Sequence, residues 1–191
     1  MRGRIIQEDA ALEPLSAWHA EHMRFKRLLD FLEEQMATFR AGADPDYELM
    51  RDVVHYLHHY ADRFHHPRED VAFERLARRD PESEPQVKKL HQEHRAIDVA
   101  GEALLGRLDD ILQGVVIERT TVEAAAALYL VYFRQHIATE ENTILQRAAR
   151  ALTKEDWAAV AAAVPQAADP LFGADVDARY RELYEQITRK A

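Results

Sequence analysis

His65 and Glu69, one helical turn apart, recur 71 positions later as His136 and Glu140, and each copy follows a His-x-Glu-His element: His19-Ala-Glu21-His22 or His91-Gln-Glu93-His94. His22 and His94 are 72 residues apart, so the two halves of the chain carry the same polar set in the same order. Residues at i and i+4 share one face of a helix, and the apolar residues around them identify which face. Tyr129, Phe133, His136, Glu140 and Thr143 form one stripe, and Val54, Ala61, His65, Glu69, Ala72 and Leu76 form another. The spacing predicts that His and Glu point into a core.

A single His-x-x-x-Glu pair on a helix is ordinarily a solvated ion pair. Two at matched offset on inward stripes need another explanation, because a carboxylate buried without a partner is costly. Arg63, Arg68, Arg134 and Arg147 fall on the flanks of the stripes, so bound metal is the expected source of positive charge. The chain has no Cys, which excludes disulfides, thiolate sites, iron–sulfur clusters and cysteine nucleophiles. Any metal is therefore held by nitrogen and oxygen, donors that iron, zinc and manganese all accept.

The other histidines are placed by spacing. His58 falls on the inward stripe before His65, as an outer partner of the site. His19 and His91 precede His22 and His94 by three residues, near enough to coordinate. His55 and His59 read as surface residues, and His66 as facing outward or lining an edge. Asp70 and Glu141 are expected to be solvated or to orient ligands from outside.

The rest of the sequence is that of an all-α protein, rich in Ala, Leu, Glu and Arg, with 6 Gly in 191 residues and no sustained strand-type alternation. Long helices are predicted from about Leu12 to Arg40, Asp46 to Arg79, after Pro85 to Gln113, and Thr120 to Arg150. They are joined by short breakers at Gly42, Pro81 to Pro85 and Gly114, which favours up-down-up-down packing of a four-helix bundle over residues 12–152. Pro67 is predicted to bend the second helix. Residues 153–191 read as a short C-terminal helical extension. It comprises a helix capped by Thr153 and Asp156, a turn at Pro165 and Asp169 to Gly173, and a helix from Val176 to Arg189. Trp157, Leu171, Phe172, Leu183 and Tyr184 would pack it on the bundle as a cover, or as a surface for a partner protein or a second copy of the chain.

The net charge of -9 argues against a nucleic-acid or anionic-membrane partner. No run approaches a membrane span, and the start MRGRIIQEDAALEP lacks the apolar core of a secretory signal, so a cytoplasmic location is expected.

At His65-His-Pro-Arg-Glu-Asp-Val-Ala-Phe and His136-Ile-Ala-Thr-Glu-Glu the sequence resembles the hemerythrin-like (HHE cation-binding) family, as found in bacteria, over roughly residues 12 to 150. The resemblance implies a non-haem di-iron centre of two iron ions joined by an oxo or hydroxo bridge. His22, His65, His94 and His136 would be terminal ligands and Glu69 and Glu140 bridging ones. Each iron would then have four protein donors and, with the solvent-derived bridge, five, leaving room for a small diatomic molecule or peroxide. Oxygen-carrying members have a His-x-x-x-His in the third helix and an aspartate five residues after the last-helix histidine. This chain has neither, so the resemblance does not extend to reversible oxygen carriage. Three functions remain open from sequence: binding, sensing or reduction of a small oxidant; iron storage, sensing or delivery without catalysis; and a structural bundle with a zinc-type site.

Overall fold

The computed structural model describes residues 2–164 and 167–189, with side chains from Pro14 onward; Pro165 and the Leu12 side chain lie outside the described residues. No strand occurs among the described residues. Helix α1 spans Arg2–Arg40 and is followed by Gly42 at φ +78°. Helix α2 (Tyr47–Tyr56) starts at Asp46, whose carboxylate accepts the Leu49 N–H at 3.0 Å, and runs through a π-helical segment, Leu57–His65, into α3 (His66–Arg79). A 3-10 turn at Pro81–Ser83 leads to α4 (Glu84–Leu112), which ends before Gly114 at φ +80°. Both glycines adopt the left-handed conformation that a Cβ disfavours, which suits helix ends. Helix α5 (Arg119–Thr139) passes through a second π-helical segment, Glu140–Ile144, into α6 (Leu145–Ala151).

Both π-helical segments border the His and Glu residues of the repeat. Pro67 has no N–H and crowds the carbonyl four residues back. The helix widens ahead of it rather than simply bending, and the His66 N–H donates to the Ala61 carbonyl five residues back. The Leu145 N–H donates in the same way to the Glu140 carbonyl. The wider turn shifts the inward register. Ile144 is buried where Thr143 was expected, and Thr143 is exposed. His58 is only half-buried, because Leu57, Tyr60 and Ala61 take the interior positions. His66, expected to face outward or line an edge, is buried beside His65 in the wall of a pocket.

Two apolar clusters sandwich the polar residues of the repeat. Phe25, Ala61, Ile97 and Phe133 belong to one, and Trp18, Ala72, Leu90 and Ile144 to the other. Each long helix therefore passes from one dry layer to the other through its His or Glu residues: Trp18, His22, Phe25 along α1, and Leu90, His94, Ile97 along α4. Helix α4 packs on α2, α3 and α5, while α1 packs on α2, α5 and α6.

The C-terminal residues form α7 (Lys154–Ala163), a 3-10 turn (Ala178–Tyr180) and α8 (Arg181–Arg189). Thr153 and Asp156 make the expected capping box, and the Asp156 carboxylate pairs with Arg75 and Arg79 of α3. Trp157 packs edge-on against Trp18 at 5.6 Å between ring centroids. Leu171 and Leu183 are buried as expected, but Tyr184 is exposed, and Tyr180 and Ile187 make the contact instead. His55, expected at the surface, is half-buried because Tyr180 Oη lies 2.6 Å from its Nδ1.

Asp169 holds this region in place. Its Oδ1 accepts the N–H groups of Leu171 at 2.9 Å and Phe172 at 2.8 Å, and the fully buried Tyr56 donates its hydroxyl at 3.1 Å to the same carboxylate. Asp169→Ala orphans that hydroxyl and should cost about 1–3 kcal/mol in urea unfolding. Adding Tyr56→Phe removes the orphaned group and should recover part of the loss.

Candidate metal centre

Between the two apolar layers six side chains converge. The Nε2 atoms of His22 and His65 are 2.9 Å apart, and those of His94 and His136 are 3.0 Å apart. Glu69 and Glu140 each divide their two oxygens between these pairs. Glu69 Oε1 lies 3.3 Å from His22 Nε2 and 3.1 Å from His65 Nε2, while its Oε2 is 3.8 Å from His94 Nε2. Glu140 Oε1 lies 3.2 Å from His136 Nε2 and 3.7 Å from His94 Nε2, while its Oε2 is 3.4 Å from His22 Nε2. Both carboxylates are completely buried.

The outward-facing nitrogen of each ring has its own carboxylate. His22 Nδ1 is 2.7 Å from Glu141, His94 Nδ1 2.7 Å from Asp70, His65 Nδ1 2.5 Å from Glu21 and His136 Nδ1 3.3 Å from Glu93. The repeat governs this set too. Glu141 and Asp70 each follow a core glutamate directly, and Glu21 and Glu93 each precede a core histidine directly. An Nδ1–H that donates outward fixes the tautomer and leaves the Nε2 lone pair facing inward.

This arrangement tests whether the residues suit bound metal. Two Nε2 lone pairs 2.9 Å apart repel unless a proton or a cation lies between them. One shared proton per pair satisfies the nitrogens, yet all four oxygens of Glu69 and Glu140 remain buried without a hydrogen-bond partner. Three of the four flanking arginines are paired elsewhere, Arg68 with Glu21, Arg134 with Asp30 and Glu33, and Arg147 with Asp80 and Glu82, and Arg63 lines an outer pocket. Cations placed between the imidazoles and carboxylates satisfy every one of these atoms, so the donor set fits metal ions.

Electrostatics without metal reflect the same strain. Burial alone would lower the His22 pKa, but the Glu141 hydrogen bond and the Glu69 and Glu140 charges push it up to about 10. His94 is likewise pushed up to about 10 against its burial, by Asp70 and Glu140. Burial and the Glu69 charge push Glu140 up to about 7, whereas burial beside His94 and His66 drives His136 well below the ordinary imidazole value.

The structure brings together His22, His65, Glu69, His94, His136 and Glu140. It leaves three other candidates outside. His19 is exposed, with Nδ1 2.9 Å from Glu141 Oε2, and the half-buried His91 has Nε2 3.3 Å from Asp70 Oδ1. One turn of helix thus puts each on an outer carboxylate, behind its neighbouring histidine. His58 turns instead to Asp62 and Asp98. Residues the sequence reading passed over are Glu21 and Glu93, although both stood in the repeated His-x-Glu-His element, and His66. His66 is buried and stacked on His94 at 4.2 Å; with Glu69, His94 and His136 it offers donor atoms all within 4.8 Å of one another. Asp70 and Glu141 do orient histidines, as one of the two sequence expectations held.

The sequence matches the description of the hemerythrin HHE cation binding domain over residues 13–148. Comparison with curated proteins and with solved structures returned no match.

Metal binding must displace the protons that His22 and His94 hold near neutrality. Titrating the metal-free protein with a divalent cation at about pH 7 in weak buffer should release about two protons per chain, and affinity should weaken as pH falls. Uptake with no proton release would show that the Nε2 atoms are not the donors.

Proposed function

This chain belongs to the hemerythrin HHE cation-binding domain family, and from that premise we propose that it is a non-haem di-iron protein that binds, senses or reduces a small oxidant such as oxygen, peroxide or nitric oxide. We assign His22 and His65 to one iron, His94 and His136 to the other, and Glu69 and Glu140 as bridges. The observation that carries this reading is the division of each buried carboxylate between the two histidine pairs, with all four oxygens lacking a hydrogen-bond partner. Iron held there would supply one-electron redox chemistry away from bulk water.

The chain's own residues serve that role in three ways. Glu21, Asp70, Glu93 and Glu141 hold the imidazoles with Nε2 inward. Trp18, Phe25 and Phe133, each at most 2% exposed, keep water from the apolar sides. His66 adds an imidazole beside His94 and His136, at 4.2 and 5.2 Å between ring centroids.

We also propose that the long helices of residues 12–152 run up-down-up-down as a four-helix bundle, and that residues 153–191 are an extension offering its outer face to a partner protein or a second copy. The short connections at residues 41–46 and 113–118 support the first statement, and the contacts of Trp157 and Asp169 support the cover role.

Metal analysis with an optical spectrum, on protein from iron-supplied cells, tests the function. The expected result is about two irons per chain, with near-ultraviolet charge-transfer absorption that changes on adding peroxide, oxygen or nitric oxide. Zinc in place of iron, or a spectrum indifferent to all three, defeats it. His65→Ala and Glu140→Ala should each lose most of the metal, while His55→Ala keeps it; equal loss in all three would overturn the ligand assignment.

A further inference from the structure

A second group of metal-type donors stands beside the buried centre and opens to solvent. His58 Nδ1 lies 3.1 Å from Asp62 Oδ2 and 3.4 Å from Asp98 Oδ1, and the three residues offer donor atoms all within 4.8 Å of one another. They line a pocket of about 260 Å³ whose walls also include His66, Asp70 and His94, so it reaches from solvent to a histidine of the buried centre. Arg63 and Arg95 line it too, against three aspartates.

Unpartnered buried atoms surround Asp62. Asp62 Oδ1, His66 Nδ1 and Tyr129 Oη are all enclosed without a hydrogen-bond partner, and His66 and Tyr129 are at most 3% exposed. His66 Nδ1 and Asp62 Oδ1 are 2.8 Å apart, but off the line that a hydrogen bond requires. Burial and the Asp62 charge together push the Tyr129 pKa well above its ordinary value. Gly101 of α4 leaves the space: a Cβ there would stand 3.1 Å from Tyr129 Cε2 and 3.5 Å from His58 Nδ1.

The internal repeat shows that the fold does not need polar residues here. At the offset of 71, the counterparts of His58, Asp62 and His66 are Tyr129, Phe133 and Ile137, all buried in the apolar core. One half of the chain carries two imidazoles and a carboxylate where the other half carries packing.

We propose that His58, Asp62 and Asp98 hold a divalent transition-metal ion at the mouth of this pocket, as the loading site from which metal reaches the buried centre. A histidine with two carboxylates, open to water on one side, suits iron(II), manganese(II), cobalt(II) or zinc(II). Both core carboxylates are completely buried, and of the core histidines only His94 lines this pocket. His66 joins the two places, with its Nδ1 facing Asp62 and its ring stacked on His94. The loading role rests on the di-metal reading; the outer site does not.

Cobalt(II) uptake by the metal-free chain tests this, with equilibrium dialysis for stoichiometry and stopped-flow absorption for rate. Wild type should bind about three equivalents, and His58→Ala and Asp98→Asn about two. Both variants should fill the buried pair to the same extent but roughly tenfold or more slowly, the scale of electrostatic steering into a charged cleft. Asp98 is exposed, so its variant keeps the fold. Two equivalents in all three proteins, as ordered water in place of an ion would give, overturns the site. Filling at the wild-type rate overturns the loading role. A misassigned buried centre looks different: wild type then keeps about one equivalent that both variants lose.

Discussion

Two carboxylates, Glu69 and Glu140, sit with zero exposure in the middle of a helical protein, and the rest of the structure answers the problem they create. Each is surrounded by imidazole nitrogens at 3.1–3.8 Å, and neither has a hydrogen bond. Removing charge from water is expensive, and the cost is offset only by opposite charge held in good geometry. The four outer carboxylates serve that geometry by orienting the imidazoles, and they in turn are stabilised from outside. Arg68 binds Glu21, and His65 and Arg68 hold that carboxyl near about 2 although burial would raise it. The polar network is thus three shells deep, closed above and below by Phe25 and Trp18 with their apolar neighbours.

The π-helical segments belong to the same problem. An α-helix presents one inward residue every three or four positions, and a ligand pair at i and i+4 uses two of them. Widening the turn at Leu57–His65 and at Glu140–Ile144 brings an additional residue to the interior and re-aims the helix beyond it. Directly after the first segment that residue is His66, a potential donor. In the second segment the residue brought inside is Ile144, a core hydrocarbon. Both segments border the centre, which ties the irregular backbone to the site and not to the loops.

Much of this was legible in the sequence, because the repeat writes the centre twice. His65, Glu69, His136 and Glu140 emerge from matched offsets and apolar stripes, while His22 and His94 stand in the repeated His-x-Glu-His element and the full set of six follows from the family resemblance; Gly114 and Thr153 mark helix boundaries. What the sequence hid follows from assuming regular 3.6-residue turns. That assumption puts Thr143 inside and His66 outward or at an edge, and gives His58 an inward position that Leu57 occupies. His55 was misplaced for a different reason: Tyr180 covers it from 125 residues away, and no local pattern records a tertiary contact of that range. Glu21 and Glu93 stand in the motif, but their role as acceptors for the outward-facing nitrogens of His65 and His136 depends on helix packing that the motif does not encode.

The repeat also explains why the two halves of the centre are chemically unequal. The buried donor pair is the same in both halves, since His65 and Glu69 match His136 and Glu140, but the neighbouring helix face is not. On the α3 side of His94 lie His66, Asp62 and a pocket open to solvent, and Asp62 is held below the usual carboxylate range because His58 and His66 outweigh its burial. The equivalent positions of the other half are Tyr129, Phe133 and Ile137, which offer one hydroxyl and otherwise hydrocarbon. The donor set is the same in both halves because each must orient imidazoles and neutralise a buried carboxylate. The positions free of that demand differ between the halves, so approach to the centre is polar from one side and closed by packing on the other.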